Sequence, residues 1–93
     1  MTWIRTIPLP EADDRLRRAI DAQRALYPPE YATPVQPTPD GTSGIVASHS
    51  LIPDALYHAF ATFGVLMSPQ LPLTRRQHEL ITTMVSVANR CRY

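Results

Sequence analysis

Few residues in this chain could do chemistry. Two of them, Glu79 and Cys91, lie twelve positions apart near its end. A thiolate is a nucleophile, and two cysteines at C-x-x-C spacing pass between dithiol and disulfide. Cys91-Arg92-Tyr93 stands one residue short of such a pair, and one cysteine cannot complete that cycle within one chain. A carboxylate within reach, directly or through water, could accept a thiol proton. His49, His58 and His78 are candidate helpers. On one continuous helix Glu79 and Cys91 would sit roughly 18 Å apart, so contact requires the chain to reverse between them. Asn89-Arg90 is the expected break, with Asn89 as the left-handed residue that ends the helix. Cys91 would then open the next element, near a helix amino terminus, where the dipole lowers a thiol pKa. Plainer readings stand beside each residue. A lone cysteine is most often a small inert hydrophobe, Glu79 reads equally as a solvated helix residue, and the histidines read as surface or packing groups.

These residues need elements to position them, and the composition limits what those can be. The 93 residues make one domain at most, with 44% hydrophobic content and a net charge of +1. A chain this small buries roughly 60–65% of its unfolded surface, so its core is marginal without partners. The balanced charge argues against a nucleic-acid or membrane-surface partner. All nine basic residues are Arg; their uniform use along the chain points to codon bias rather than to a site. No apolar run approaches the roughly 20 residues that span a bilayer. No signal peptide is expected, because Met1 to Pro10 lacks an apolar stretch. A single cysteine excludes an internal disulfide framework, and a reducing cytoplasm is the expected location. No zinc-ligand cluster or glycine-rich phosphate loop is present, so neither metal nor cofactor is expected.

Three helices are predicted, with no convincing strand, which makes the chain all-α. The first covers about 11–27, where Leu16, Ala19, Ile20, Gln23, Leu26 and Tyr27 form one stripe. Glu11–Arg15, Asp13–Arg17 and Asp14–Arg18 are expected acid-before-base pairs on it. Pro28-Pro29 ends it. Residues 28–49 carry five prolines and the Asp40-Gly41 turn signal, and are expected to form a long extended loop packing along partner helices. The second helix covers about 53–67, with Pro53 at its first position and Ile52, Leu56, Ala59, Phe60, Phe63, Leu66 and Met67 on a broad apolar face. Gly64 in its interior suggests close approach of another helix. The third covers about 74–88 and opens on the capping box Thr74-Arg75-Arg76-Gln77. Leu80, Ile81, Met84, Val85, Val87 and Ala88 give it wide apolar coverage, as for a helix buried on more than one side.

Two segments are recognisable as well as periodic. Leu73-Thr74-Arg75-Arg76-Gln77-His78-Glu79-Leu80-Ile81, followed by Val85-Ser86-Val87-Ala88-Asn89-Arg90-Cys91-Arg92-Tyr93, resembles the AhpD-like alkylhydroperoxidase and carboxymuconolactone decarboxylase family, in its peroxidase-related branch. Trp3-Ile4-Arg5-Thr6-Ile7-Pro8 and His49-Ser50-Leu51-Ile52-Pro53-Asp54-Ala55-Leu56 are similar to that branch's opening and second-helix entry. The resemblance fails in the proline-rich loop. It implies an AhpD-like helical fold, a single partial domain over 1–93 that is incomplete at its carboxy terminus. It also implies a resolving role for Cys91 and a proton-relay role for Glu79. In the family the second cysteine of the pair attacks the peroxide, the first resolves the sulfenic acid as a disulfide, and a Glu and a His relay protons. The attacking residue would fall at position 94, as Cys or selenocysteine, and the His at position 98.

The resemblance therefore implies the amino-terminal part of a thiol or selenol peroxidase, with a hydroperoxide as substrate and a dithiol as reductant. As written, the chain is expected to be inactive, since the disulfide needs two sulfurs. It is expected to expose apolar sides of the second and third helices and to form a homo-oligomer. Two alternatives belong to other classes. One is a noncatalytic helical oligomerisation module. The other is a carboxymuconolactone decarboxylase-like protein, against which the position of Cys91 argues. A helix-turn-helix fits less well, because the Met67–Thr74 connector is too long.

Overall fold

The computed structural model describes residues 3–33, 37 and 42–91. Their regular structure is helical throughout, and no strand occurs among them. The chain is all-α. In order the helices are α1 (Asp14–Arg24), a single turn α2 (Gly44–Ala47), α3 (Pro53–Leu66) and α4 (Arg75–Ala88). Two 3-10 turns, Leu9–Glu11 and Pro29–Ala32, flank α1.

α1 begins three residues later than periodicity suggests. Asp13 sits in extended backbone and its Oδ1 accepts from the Leu16 amide at 2.8 Å, which makes it the N-cap. A residue spent as a cap cannot also lie inside the helix as an ion-pair partner. None of the three expected acid–base pairs forms. Arg15 instead reaches Asp54 of α3 at 2.6 Å, and Arg17 donates to the carbonyls of Ala12 and Pro10. Arg18 donates through Nε to the Asp14 carbonyl rather than its carboxylate. The Arg15–Asp54 pair is exposed and contributes little, at most about 1 kcal/mol.

The core lies between α1 and α3. Ala12, Leu16, Ile20, Leu56 and Phe60 are buried together, with Ile7, Leu9, Ala19, Val46 and Ala59 packed around them. Leu16 and Leu56 are the largest apolar side chains wholly out of solvent. Two polar bonds tie the connecting segments to this core. The Ile7 amide donates to Ser50 Oγ at 2.8 Å, and the Tyr27 hydroxyl donates to the Phe60 carbonyl at 3.1 Å. Gly64 is buried where α3 meets the turn after α1, so close approach is realised there, to Leu26 rather than to a helix body.

The 28–49 segment is less extended than its prolines suggest. Pro29 stands at the first position of a 3-10 turn, where its fixed φ suits helical geometry and its missing N–H costs nothing. A further α-turn covers Gly44–Ala47. The Asp40-Gly41 turn signal lies outside the described residues.

α4 departs from the expectation of a helix buried on more than one side and matches the expected exposure of its apolar side. Its capping box forms as predicted: Gln77 Oε1 accepts from the Thr74 amide at 2.8 Å, and Thr74 Oγ1 accepts from the Gln77 amide at 3.3 Å. Its apolar residues, however, are not buried. Leu80, Ile81, Met84, Val85 and Val87 are each more than half exposed, and His78 is the one buried side chain of the helix. At 100° per residue, the less exposed positions Arg75, His78 and Ser86 share one side. Leu80, Ile81, Met84 and Val87 occupy the other, and Val85 stands beside His78. α4 therefore meets the rest of the chain through its polar side and turns its apolar side outward.

Candidate functional site

The polar side of α4 carries one of the two residues singled out by chemistry. Glu79 is one turn into α4, on the same side as Arg75, so the two can pair at i, i+4. Arg75 Nε donates to Glu79 Oε1 at 2.9 Å. The Pro29–Ala32 turn brings Tyr31 to the same oxygen, and its hydroxyl donates at 2.5 Å. The Arg75 guanidinium lies over the Tyr31 ring, 4.4 Å from its centroid, a cation–π arrangement. Glu30 stands 4.0 Å from the other end of that guanidinium. Tyr27 meets the Tyr31 ring edge-on at 6.2 Å. Tyr31, Arg75 and Glu79 thus form a small clasp between the proline-rich segment and α4.

The clasp sets the charge state of its members. The hydrogen bonds from Tyr31 and then from Arg75 hold the Glu79 carboxyl below its usual range. Partial burial, followed by the hydrogen bond to Glu79, pushes the Tyr31 phenol up to about 12. Near neutral pH Glu79 is a carboxylate and Tyr31 a phenol. A carboxylate with a depressed pKa is a weak general base, because proton transfer is best served by a pKa near the working pH.

Cys91 lies beyond the other end of α4 and is exposed. The helix stops in a Schellman motif. The Cys91 amide donates to the Ser86 carbonyl at 2.8 Å, and the Arg90 amide to the Val87 carbonyl at 3.0 Å. The left-handed residue is Arg90, with φ 52°, not Asn89, whose φ is −81°. The break predicted from sequence is present, one position later. It redirects the chain at Cys91 but does not carry it back to Glu79, whose Oε1 is already engaged by Tyr31 and Arg75. Arg92 and Tyr93 lie outside the described residues, so no following helix is described that could lend Cys91 its dipole.

The histidines separate into three environments. His58 is exposed on α3. His49 Nδ1 is 2.9 Å from the Ile45 carbonyl, and its ring meets Phe60 edge-on at 5.2 Å, a packing role. His78 is 5% exposed, and its Nε2 is buried without a hydrogen-bond partner. It borders a cavity of about 110 Å³ shared with Met67, Pro69, Leu73, Thr74 and Arg75. Among the described residues no group of three or more His, Cys, Asp or Glu could hold a metal ion. No helix among them is long and apolar enough to cross a membrane.

Sequence reasoning missed Tyr31 as a site residue. The Arg75–Glu79 spacing was visible, with the base first, the less favourable order. Nothing local to Tyr31 announces a contact 48 residues away. No family model, curated protein or solved structure matches the chain.

Proposed function

We propose that the chain belongs to a thiol-based redox system of the AhpD-like kind, with Cys91 as the thiol that resolves a partner's sulfenic acid. The single observation that carries this reading is the placement of Cys91. The Schellman stop closes α4 after Ala88, with Arg90 as its left-handed residue, and the thiol that follows is exposed. Accessibility is what thiol exchange requires. A second thiol, supplied from outside the described residues, attacks the hydroperoxide. The peroxide O–O bond breaks, the alcohol leaves, and that thiol becomes a sulfenic acid. Cys91 then attacks the sulfenic sulfur, water leaves, and a disulfide remains. A dithiol reductant returns both sulfurs to thiols. Glu79 holds a carboxylate within the Tyr31–Arg75 clasp, and a relay role requires it to be released from that clasp.

The test is thiol exchange on the folded chain. Cys91 should react with an aromatic disulfide at the rate of an unhindered thiol, and Cys91→Ser should abolish the reaction. The isolated chain should consume no hydroperoxide beyond the background of the reductant. A Cys91 that resists exchange until the chain is unfolded sinks the reading. Hydroperoxide turnover lost in Cys91→Ser would overturn the two-thiol assignment, since one sulfur would then suffice.

A second reading, a helical assembly module, is favoured by a separate observation. α4 directs its apolar stripe away from the core, and Ile52, Phe63 and Leu66 leave a second apolar strip exposed along α3. Apolar patches above a few hundred Å² mark interaction sites.

A further inference from the structure

The end of α3 and the first turn of α4 border a cavity that the thiol chemistry leaves unused. It measures about 110 Å³, room for three or four water-sized groups at roughly 30 Å³ each. Met67 and Pro69 line it from the end of α3 and the connector, and Leu73, Thr74, Arg75 and His78 from the start of α4. Among the described residues one buried side-chain atom lacks a hydrogen-bond partner, and it belongs to a residue of this wall: His78 Nε2. His78 is 5% exposed. A buried nitrogen left unpaired costs free energy, and a ligand that pairs with it recovers that cost.

The surroundings select the charge of such a ligand. α4 has 14 residues, and its amino-terminal amides carry the positive end of its dipole. Thr74 takes two of them, its Oγ1 accepting from the Gln77 amide and its carbonyl from the His78 amide. The Arg75 and Arg76 amides have no acceptor within the helix. Arg75 adds a guanidinium to the wall. Glu30 and Glu79 flank that guanidinium from the clasp, and no carboxylate lines the cavity itself. A cation is therefore disfavoured, and an anion is met by helix amides and an imidazole. Imidazole donates through Nε2 in one of its tautomers, and an anion selects that one. Shape selects the rest. Met67, Pro69 and Leu73 present apolar walls, against which phosphate loses hydration without return. A carboxylate with a short alkyl tail satisfies both halves. We propose that this cavity binds a short-chain aliphatic monocarboxylate, with its carboxylate on His78 and the first-turn amides of α4 and its tail on Met67, Pro69 and Leu73. Cys91 lies beyond the opposite end of α4, so failure of this site leaves the thiol reading untouched.

Nitrogen-15 NMR of the folded chain at constant ionic strength tests the proposal, with propionate as probe. Propionate should shift the Leu73, Arg75 and His78 amides saturably, with a dissociation constant on the order of millimolar for so small a ligand. Propionamide keeps the shape without the charge, and phosphate keeps the charge without the tail. Each should bind at least about tenfold more weakly. His78→Phe should weaken propionate at least about tenfold, as loss of a hydrogen bond to a charged group does. Leu73→Trp fills the cavity from a position already 40% exposed, and should abolish binding with the circular dichroism of wild type. Should His78→Phe fail to fold, Leu73→Trp decides alone. Equal shifts from propionate and phosphate would reduce the effect to diffuse attraction at a helix end and overturn the proposal. Equal binding of propionamide would overturn the selection by charge. Undiminished binding in Leu73→Trp, or no saturable shift across the millimolar range, would overturn the site itself.

Discussion

Replacing Gly64 by alanine should destabilise the chain, although alanine is the better helix former. An alanine Cβ built at Gly64 would lie 2.6 Å from the Leu26 Cβ and 3.4 Å from the Leu26 carbonyl carbon. Carbon atoms pack at about 3.5–4.0 Å, so the pair must separate by roughly 1 Å. Leu26 cannot swing aside, because the atom in contact is its Cβ, fixed to the backbone. The neighbouring Tyr27 hydroxyl also holds this turn to the Phe60 carbonyl. The helix gains about 1 kcal/mol from losing a glycine, while overpacking with backbone movement costs about 3 kcal/mol. The net loss is about 2 kcal/mol, or a melting point lower by roughly 10 °C for a chain of this size. Urea unfolding followed by circular dichroism measures it. The double variant with Leu26→Gly, which removes the opposing Cβ, should recover at least about 1 kcal/mol as coupling energy. A midpoint for Gly64→Ala equal to or above wild type would refute the contact and the packing of α3 against the turn after α1.

Two further changes follow from the ends and the clasp of α4. Arg90→Gly should stabilise the chain by about 0.5–1 kcal/mol, since φ 52° strains any residue with a Cβ and glycine adopts it freely. An unchanged or lower urea midpoint would count against the Schellman stop. The clasp also gives stability a pH signature. Tyr31 is raised from 10.0 to about 12 in the folded chain, so its contribution is complete below pH 10 and lost as pH rises through 12. Glu79 is lowered from 4.5, so its contribution is present above that value and lost as pH falls through the lower folded one. Melting temperature against pH should therefore fall on both flanks for wild type and flatten on both in Tyr31→Phe; parallel curves would rule the clasp out.

Local chemistry in this chain was legible from sequence; choice of face was not. Thr74 and Gln77 lie three residues apart, and their capping box formed because both partners belong to one helical turn. Pro53 at a helix start acted as expected for the same reason, whereas α1 ended at Arg24, ahead of the stop expected from Pro28-Pro29. Asp13 showed where such reasoning slips. The spacing reads it as a helix-interior acid facing Arg17, whereas its carboxylate accepts from the Leu16 amide and caps the helix instead. The α1 stripe pointed correctly to Leu16 and Ile20, because one apolar face has one place to go. α4 has an equally clear stripe, yet its burial depends on what stands opposite, and periodicity carries no such information. Among the residues singled out for chemistry, Cys91 was found at an exposed chain reversal and Glu79 in a contact with Tyr31 that no local pattern announces.

The clasp has a consequence for how the molecule opens. α1 and α3 are joined by an apolar core, which counterions do not screen. α4 is held to the Pro29–Ala32 turn that follows α1 by the Tyr31 hydroxyl on Glu79 and by the Arg75 guanidinium over the Tyr31 ring and beside Glu30, contacts between polar and charged groups. Such contacts weaken as counterions accumulate, so the two attachments respond to different conditions. α4 is the part of the chain that should detach first. Its backbone amides should exchange with solvent deuterium ahead of those in α1 and α3, and sooner still at high ionic strength. Detachment would free the Glu79 carboxylate from Tyr31, and it leaves the α1–α3 pair standing as a two-helix remnant around Leu16 and Leu56.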